Sequence, residues 1–401
     1  MVSNNFIKNI TSKDLKLSQN TILNMLKTAN IEEFSELCEK SDFIFPFLKE
    51  RIINDFIKLV NKEDLKTIFE FAKIYCCDFE DLIVKSWVKF ADEDLTDEIL
   101  EILEHGTLEQ KTYGVLYFKY IKDLLVIEYL NILAKADDDN LRLNCAIVLS
   151  SFQDKTIYNE MKEIILKSND DFEKLRAFSF LSAYQGKESI EFIIKEGLNN
   201  PFRVNIITNL LDYNELNIIK NYINDNDIIN IFNILIEAYP EDISLNTISY
   251  YNILDFIKII EKIKSNYANN SLILAKIKFR EFFENEIYSF DLDKNLKTEL
   301  KNIFNYLNSL NLSYETIKEE LNNYNSNSMN IVFNIIQEEK LNEYSINIAN
   351  LINNNLINST FIAKAVVILK ELNQTNLINK EILNNINDEN IKALIQSCLN
   401  N

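Results

Sequence analysis

The sequence predicts an all-α protein built from stacked pairs of antiparallel helices, and three observations predict it. First, Leu149-Ser150-Ser151-Phe152-Gln153-Asp154-Lys155 returns 32 residues later as Leu181-Ser182-Ala183-Tyr184-Gln185-Gly186-Lys187, and the same register reaches back to Tyr117-Phe118-Lys119-Tyr120-Ile121-Lys122-Asp123. Second, apolar residues recur at three- and four-residue spacing in two segments ahead of each copy, as amphipathic helices require. Third, 401 residues contain 4 Gly and 3 Pro, whereas a sheet protein of this length needs many tight turns built from those residues. Two helices in about 30 residues define a repeat that cannot bury its apolar face alone and so stacks on its neighbours. A hydrophobic content of 47% is enough for a continuous core.

In chain order, residues 1–61 are expected to form an N-terminal helical cap of divergent repeats, with helices at 21–26, 31–38 and 47–60 and Pro46 separating the last two. Residues 62–215 hold the regular repeats. First helices are predicted at 65–75, 95–105, 126–135, 158–167 and 190–196, and second helices at 79–90, 108–121, 141–152, 172–184 and 202–213, with successive spacings of about 30, 32, 32 and 29 residues. Asp139-Asn140 and Asp170-Asp171 precede second helices, where short acceptor side chains cap free N–H groups. Asn200-Pro201 puts Pro at a first helical position, and His105-Gly106 puts Gly at a left-handed helix end. Gly114, inside a second helix, implies close approach of a neighbour. Residues 216–401 continue with helices at 228–239, 253–263, 272–288, 296–307, 329–338, 345–351, 360–372 and 391–399. They form either a divergent extension of the stack or a separate all-α C-terminal domain. The Asn- and Ser-rich stretch 322–330 is expected to be a flexible break.

The segment Asn140-Leu141-Arg142-Leu143-Asn144-Cys145-Ala146-Ile147-Val148-Leu149 resembles the second helix of a HEAT repeat: an acidic turn, an apolar–Arg pair, small residues, then Leu. Lys174-Leu175-Arg176-Ala177 and Phe202-Arg203-Val204 are weaker copies, and the resemblance covers about 150 residues, 62–215. It implies a right-handed superhelical α-solenoid with a period of about 30–32 residues. That family includes scaffolds, adaptors, lyase-type proteins that help attach chromophores, and a group of DNA glycosylases, so the resemblance bears on architecture more than on activity.

Charge and residue usage narrow the function classes. The formal net charge is −19, which opposes nucleic acid, whose binding rests on cations neutralising phosphates, and opposes anionic membrane surfaces. No apolar run has the length of a signal peptide or a membrane span, and the five cysteines are scattered. Reduced thiols and a cytoplasmic location are therefore expected. His105 is the one histidine, which removes most schemes needing a His base beside a nucleophile. Its place at a helix end suits the helix dipole. Cys76-Cys77 lacks zinc-ligand spacing, the aspartate runs match neither a calcium loop nor an Asp-Asp-x-x-Asp motif, and the separated glycines make no phosphate loop. No catalytic residue, cofactor or metal is expected. Aromatic residues such as Trp87, Tyr113, Tyr117, Tyr120, Phe178 and Tyr184 follow helix spacing and are expected in the core or lining a groove.

One constellation remains. Acidic runs occur at Asp92-Glu93-Asp94, Asp137-Asp138-Asp139 and Asp170-Asp171, the last two in equivalent turns. Beside them, Arg142, Lys174 and Arg203 occupy equivalent positions, with Gln110 before them. Two accounts fit: capping carboxylates paired with an inter-repeat polar ladder, or an acidic ridge and cationic strip for a partner. The candidate partner-binding residues are accordingly Asp137, Asp138, Asp139, Asp170, Asp171, Arg142, Lys174 and Arg203. The function expected is a non-enzymatic scaffold or adaptor for another protein, one with a basic surface. The alternatives are a glycosylase-type base-processing enzyme or a lyase-type protein assisting chromophore attachment.

Overall fold

The structure is a computed structural model that describes residues 5–237, 248–285, 294–323, 326–386 and 389–399. Among the described residues there is no strand: the chain is all-α, with helices joined by short turns. It divides into two compact units, Met1–Ile193 and Ile194–Asn401.

The first unit contains α1 (Phe6–Ile10), α2 (Leu15–Thr28), α3 (Ile31–Glu39), α4 (Pro46–Leu59), α5 (Leu65–Phe71), α6 (Glu80–Lys89), α7 (Glu93–His105), α8 (Leu108–Tyr120), α9 (Val126–Leu133), α10 (Asp139–Phe152), α11 (Thr156–Lys167) and α12 (Asp171–Tyr184); α13 (Lys187–Gly197) carries the boundary. The even-numbered helices touch in succession, α2 to α4, α6, α8, α10 and α12. Odd helices flank them, with α5 on α6, α7 on α8, α9 on α10 and α11 on α12. This arrangement explains two kinds of helix. An outer helix has one buried stripe: α7 buries Leu95, Ile99 and Leu103, four residues apart. An inner helix is enclosed on three sides, and α8 buries every residue from Thr112 to Phe118. Tyr113 and Tyr117 of α8 and Trp87 of α6 are fully buried, with Trp87 edge-on to Tyr113 at 6.5 Å. Tyr120, one of the expected core aromatics, is exposed.

Local chemistry sets the helix ends. Asp92, Asp138 and Asp170 are the N-caps of α7, α10 and α12, so each acidic run contains a capping carboxylate. The cap before α10 is Asp138, not the expected Asp139-Asn140 pair, and Asp139 is the first helical residue. The predicted helix 65–75 stops at Phe71. There the Tyr113 hydroxyl donates to the Ile74 carbonyl at 3.1 Å and accepts the Cys76 N–H at 2.9 Å, holding that backbone in a loop. Pro201 lies in the turn before α14 rather than at its first position, while the Asn200 side chain accepts the Phe202 N–H at 2.9 Å. Gly106 has extended backbone, φ −67° and ψ 170°, so the expected left-handed end is not formed. Its requirement is steric, because a Cβ would sit 2.7 Å from the Ile102 carbonyl oxygen. Gly114 meets the expected close neighbour: a Cβ there would lie 2.8 Å from Leu103 Cδ2 of α7.

The second unit contains α14 (Arg203–Tyr213), α15 (Leu216–Ile219), α16 (Asp225–Glu237), α17 (Ile248–Ile260), α18 (Asn266–Asn285), α19 (Lys294–Ser309), α20 (Glu315–Asn323), α21 (Ser326–Glu338), α22 (Ser345–Asn353), α23 (Ser359–Glu371) and α24 (Glu389–Leu399). Successive contacts run α14 to α16, α18, α21 and α23. Around them, α17 touches α16, α18 and α19, and α20 touches α18, α21 and α22. Residues 238–239 and 286–288 of two predicted helices lie outside the described residues. The expected flexible break at 322–330 is mostly helix: α20 runs to Asn323 and α21 starts at Ser326, while residues 324–325 lie outside the description. Ser328 is buried and donates to the Glu320 carboxylate, joining the two helices.

The two glycines give a test. Gly106→Ala should lower the urea midpoint of unfolding, at a cost of about 1–3 kcal/mol, because the new methyl meets backbone. Gly114→Ala should stay within about 1 kcal/mol of the parent, since Ala's helix preference offsets displacement of one Leu side-chain end.

A candidate partner-binding face between α9 and α12

The site grows from the turns ahead of α10 and α12. Asp138 accepts the Leu141 N–H at 2.7 Å, and Asp170 accepts those of Phe172 and Glu173 at 2.8 and 3.2 Å. These two carboxylates are spoken for by the backbone. Their neighbours are not: the Asp137 side chain is fully solvent-exposed, and Asp171 and Glu173 are exposed too. Asp139 is also largely exposed, but its Oδ1 lies 2.6 Å from an amino nitrogen of Arg142, whose side chain is almost wholly buried.

The cations divide differently from the expected row. Arg176, two residues after Lys174, donates to the Ala136 carbonyl at 3.1 Å and lies 3.5 Å from Asp137 and 4.0 Å from Asp139. Gln110 donates to the Phe69 carbonyl at 3.1 Å. Arg51, on α4, donates to the carbonyls of Ile10 and Ser12, both at 3.0 Å. In all three cases a side chain on the inner helix of one pair reaches a carbonyl at the C-terminal end of the outer helix of the pair before, or in the turn just after it. Helix-end carbonyls lack intrahelical partners, so they take these donors. Arg51, Gln110 and Arg176 are therefore cross-pair donors to carbonyl groups, beside the expected cation–carboxylate pairs of Arg142 and Arg203. Arg142 pairs within its own turn, and Lys174 is half-buried and makes none of these contacts. Arg203 belongs to the second unit, where it pairs with Glu237 at 2.8 Å.

Between these elements is an open cavity of about 420 Å³. Lys135, Arg142 and Arg176 supply three cations to its wall and Glu160, Asp170 and Glu173 three carboxylates. Lys135 and Glu160 pair at 2.8 Å. Ala134, Met161, Ile164, Phe172 and Ala177 add apolar surface, and Phe172 is 70% exposed. No Ser, Thr, Cys, His or Tyr lines the cavity. Its mixture of cations, carboxylates and apolar surface suits holding a side chain of mixed character. His105 is exposed at the end of α7, 3.6 Å from Glu104. Among the described residues, no three His, Cys, Asp or Glu are grouped to hold a metal ion, and no helix is long and apolar enough to cross a membrane. On α18, Lys278 pairs with Glu338 at 3.0 Å and Arg280 with Glu339 at 2.6 Å, and Phe279 is buried.

Sequence reasoning missed a second exposed feature. Phe43, Phe45 and Phe47 are 86%, 67% and 67% exposed at the start of α4, with Phe45 and Phe47 stacked at 6.0 Å. The signal was there: Phe43-Ile44-Phe45-Pro46-Phe47 is a run of apolar residues too dense for one helix start to bury, and Ile44 alone of the four aliphatic or aromatic side chains is buried.

No protein-family model matches this chain, and no curated protein matches its sequence.

The ladder makes a direct prediction. Arg176→Ala should cost roughly 1–2 kcal/mol in urea unfolding, because a charge-assisted bond to a helix-end carbonyl is lost. Asp137→Asn and Lys174→Ala should leave the midpoint unchanged, since the first is an exposed ion-pair member and the second makes no cross-pair contact.

Proposed function

We propose that this chain is a non-enzymatic scaffold of the HEAT-like, right-handed α-solenoid kind, and that it binds another protein through the edge formed by the turns before α10 and α12. One observation carries the proposal. In two equivalent turns, one carboxylate caps a helix while its neighbour, Asp137 or Asp171, stays exposed beside an open cavity with an exposed phenylalanine at its wall. Capping accounts for Asp138 and Asp170 but not for the others. An exposed aromatic with acidic neighbours suits a partner that brings basic residues at the rim and an apolar side chain for the cavity. The net charge of −19 also favours a basic protein over nucleic acid. A cytoplasmic setting fits the five free cysteines.

The test uses the tagged chain and its Asp137→Lys/Asp171→Lys variant, which leaves both caps intact, to capture partners from the native lysate at low and moderate salt. A specific protein retained by the parent and several-fold weaker on the variant, at unchanged melting temperature, is the expected result. Equal retention on both would remove the acidic edge from the account. Nucleic acid as the principal species recovered would replace the scaffold with a base-processing function.

A further inference from the structure

The cavity between α9 and α12 contains a cation that its surroundings do not satisfy. Arg142 belongs to the first turn of α10, lines the cavity wall and is only 4% exposed. The Asp139 carboxylate approaches one of its amino nitrogens at 2.6 Å, yet neither that nitrogen nor Nε has a hydrogen-bond partner. Burying a guanidinium with donors unmet is costly unless a ligand meets them. The other charges of the wall are committed. Lys135 pairs with Glu160 at 2.8 Å, Asp170 caps α12, and the Glu173 carboxylate accepts the Ser168 hydroxyl at 2.6 Å. Arg176 donates to the Ala136 carbonyl at 3.1 Å and lies 3.5 Å from Asp137. Arg142 is the wall residue left with buried donors and no partner for them.

We propose that this cavity takes the C-terminal residue of the partner protein, with the α-carboxylate on Arg142 and an aliphatic side chain against Met161, Ile164 and Phe172. The inference rests on the reading of the acidic edge as the partner-binding face, and it specifies which part of the partner enters. A guanidinium presents its N–H groups as a planar fork that matches a carboxylate, and bonds between the two are charge-assisted. The Asp139 side chain is 73% exposed, so it turns out into water at little cost when the ligand carboxylate takes its place.

A chain end suits this cavity better than an internal segment. It carries an anion and an apolar side chain on one residue, and a single strand of backbone has to leave the mouth. The volume of about 420 Å³ is that of a site enclosing a small ligand rather than a folded element. Asp137 lies beside Arg176, and Asp171 stands between Asp170 and Phe172 of the wall, so the residues preceding the chain end pass these two exposed carboxylates on the way out. The partner tail that fits is basic with an aliphatic last residue: its cations meet Asp137 and Asp171 while its terminal carboxylate meets Arg142.

The experiment titrates minimal chain ends against the full-length protein by ligand-observed NMR at low salt. N-acetyl-leucine should bind in the millimolar range, about tenfold tighter than N-acetyl-leucinamide, which lacks the carboxylate. Phe172→Ala should weaken the acid about threefold, and Arg142→Lys, which keeps the charge and loses the fork, should cut the preference for acid over amide to about twofold or less. N-acetyl-lysyl-arginyl-leucine should bind tighter than N-acetyl-leucine on the parent and lose that gain on Asp137→Lys/Asp171→Lys. No binding of the acid, equal binding of acid and amide, or tighter binding of N-acetyl-glutamic acid α-amide, whose carboxylate is that of an internal side chain, would each overturn the C-terminal site. A gain from the basic residues without any acid preference removes this site and leaves the acidic edge standing. An acid preference without that gain keeps the site and removes the edge.

Discussion

Carbonyl groups left over at helix ends govern how these helix pairs stack. A helix leaves its last carbonyls without internal partners, and water can reach them only if nothing packs there. In the first unit the next pair does pack there, and it brings a donor: Arg51 for α1, Gln110 for α5 and Arg176 for the turn after α9. Apolar contact between inner helices supplies most of the driving force, but it is tolerant of sliding. A side-chain donor that must meet one carbonyl is not, so these bonds fix where each pair sits on the one before it. Tyr113 performs a related task from the middle of α8, satisfying both Ile74 and Cys76 where the backbone has left the helix.

The same economy separates structural from available charge. Asp92, Asp138 and Asp170 are committed to helix starts, and Arg176 to a carbonyl. Asp137, Asp171 and Phe172 are exposed on that edge with Asp139 and Glu173, next to a cavity whose own cations and acids are equal in number. The local field there is set by those exposed carboxylates rather than by the cavity wall.

Much of this was legible from residue order. Periodicity located the regular helices to within a few residues, because one-stripe helices such as α7 carry the strongest 3.6-residue signal. It failed where apolar anchors were few: α20 buries only Ile317, Glu320 and Leu321, and α15 has four residues. Repeat register pointed to a polar ladder and to the acid pairs of Arg142 and Arg203, but it missed the donors that reach carbonyl groups. Sequence equivalence aligned Arg142, Lys174 and Arg203, whereas the donor that meets a carbonyl depends on reach, and Arg176 has it from one half-turn further along. The acidic edge was visible as a run of aspartates. Which aspartate caps and which stays exposed depends on one residue of phase, set by where α10 begins.

The most direct measurement of the stacking constraint is amide hydrogen exchange on Gln110→Glu. That substitution keeps the side-chain oxygen that accepts the Thr107 N–H and replaces the N–H donor that reaches Phe69 with a carboxylate oxygen, which the Phe69 carbonyl repels. If cross-pair donors hold one pair on the next, amides from Phe69 to Ile74 should exchange at least tenfold faster, while α11 and α12 keep their protection. Unchanged exchange at the end of α5, or an even loss of protection across the whole unit, would contradict that account.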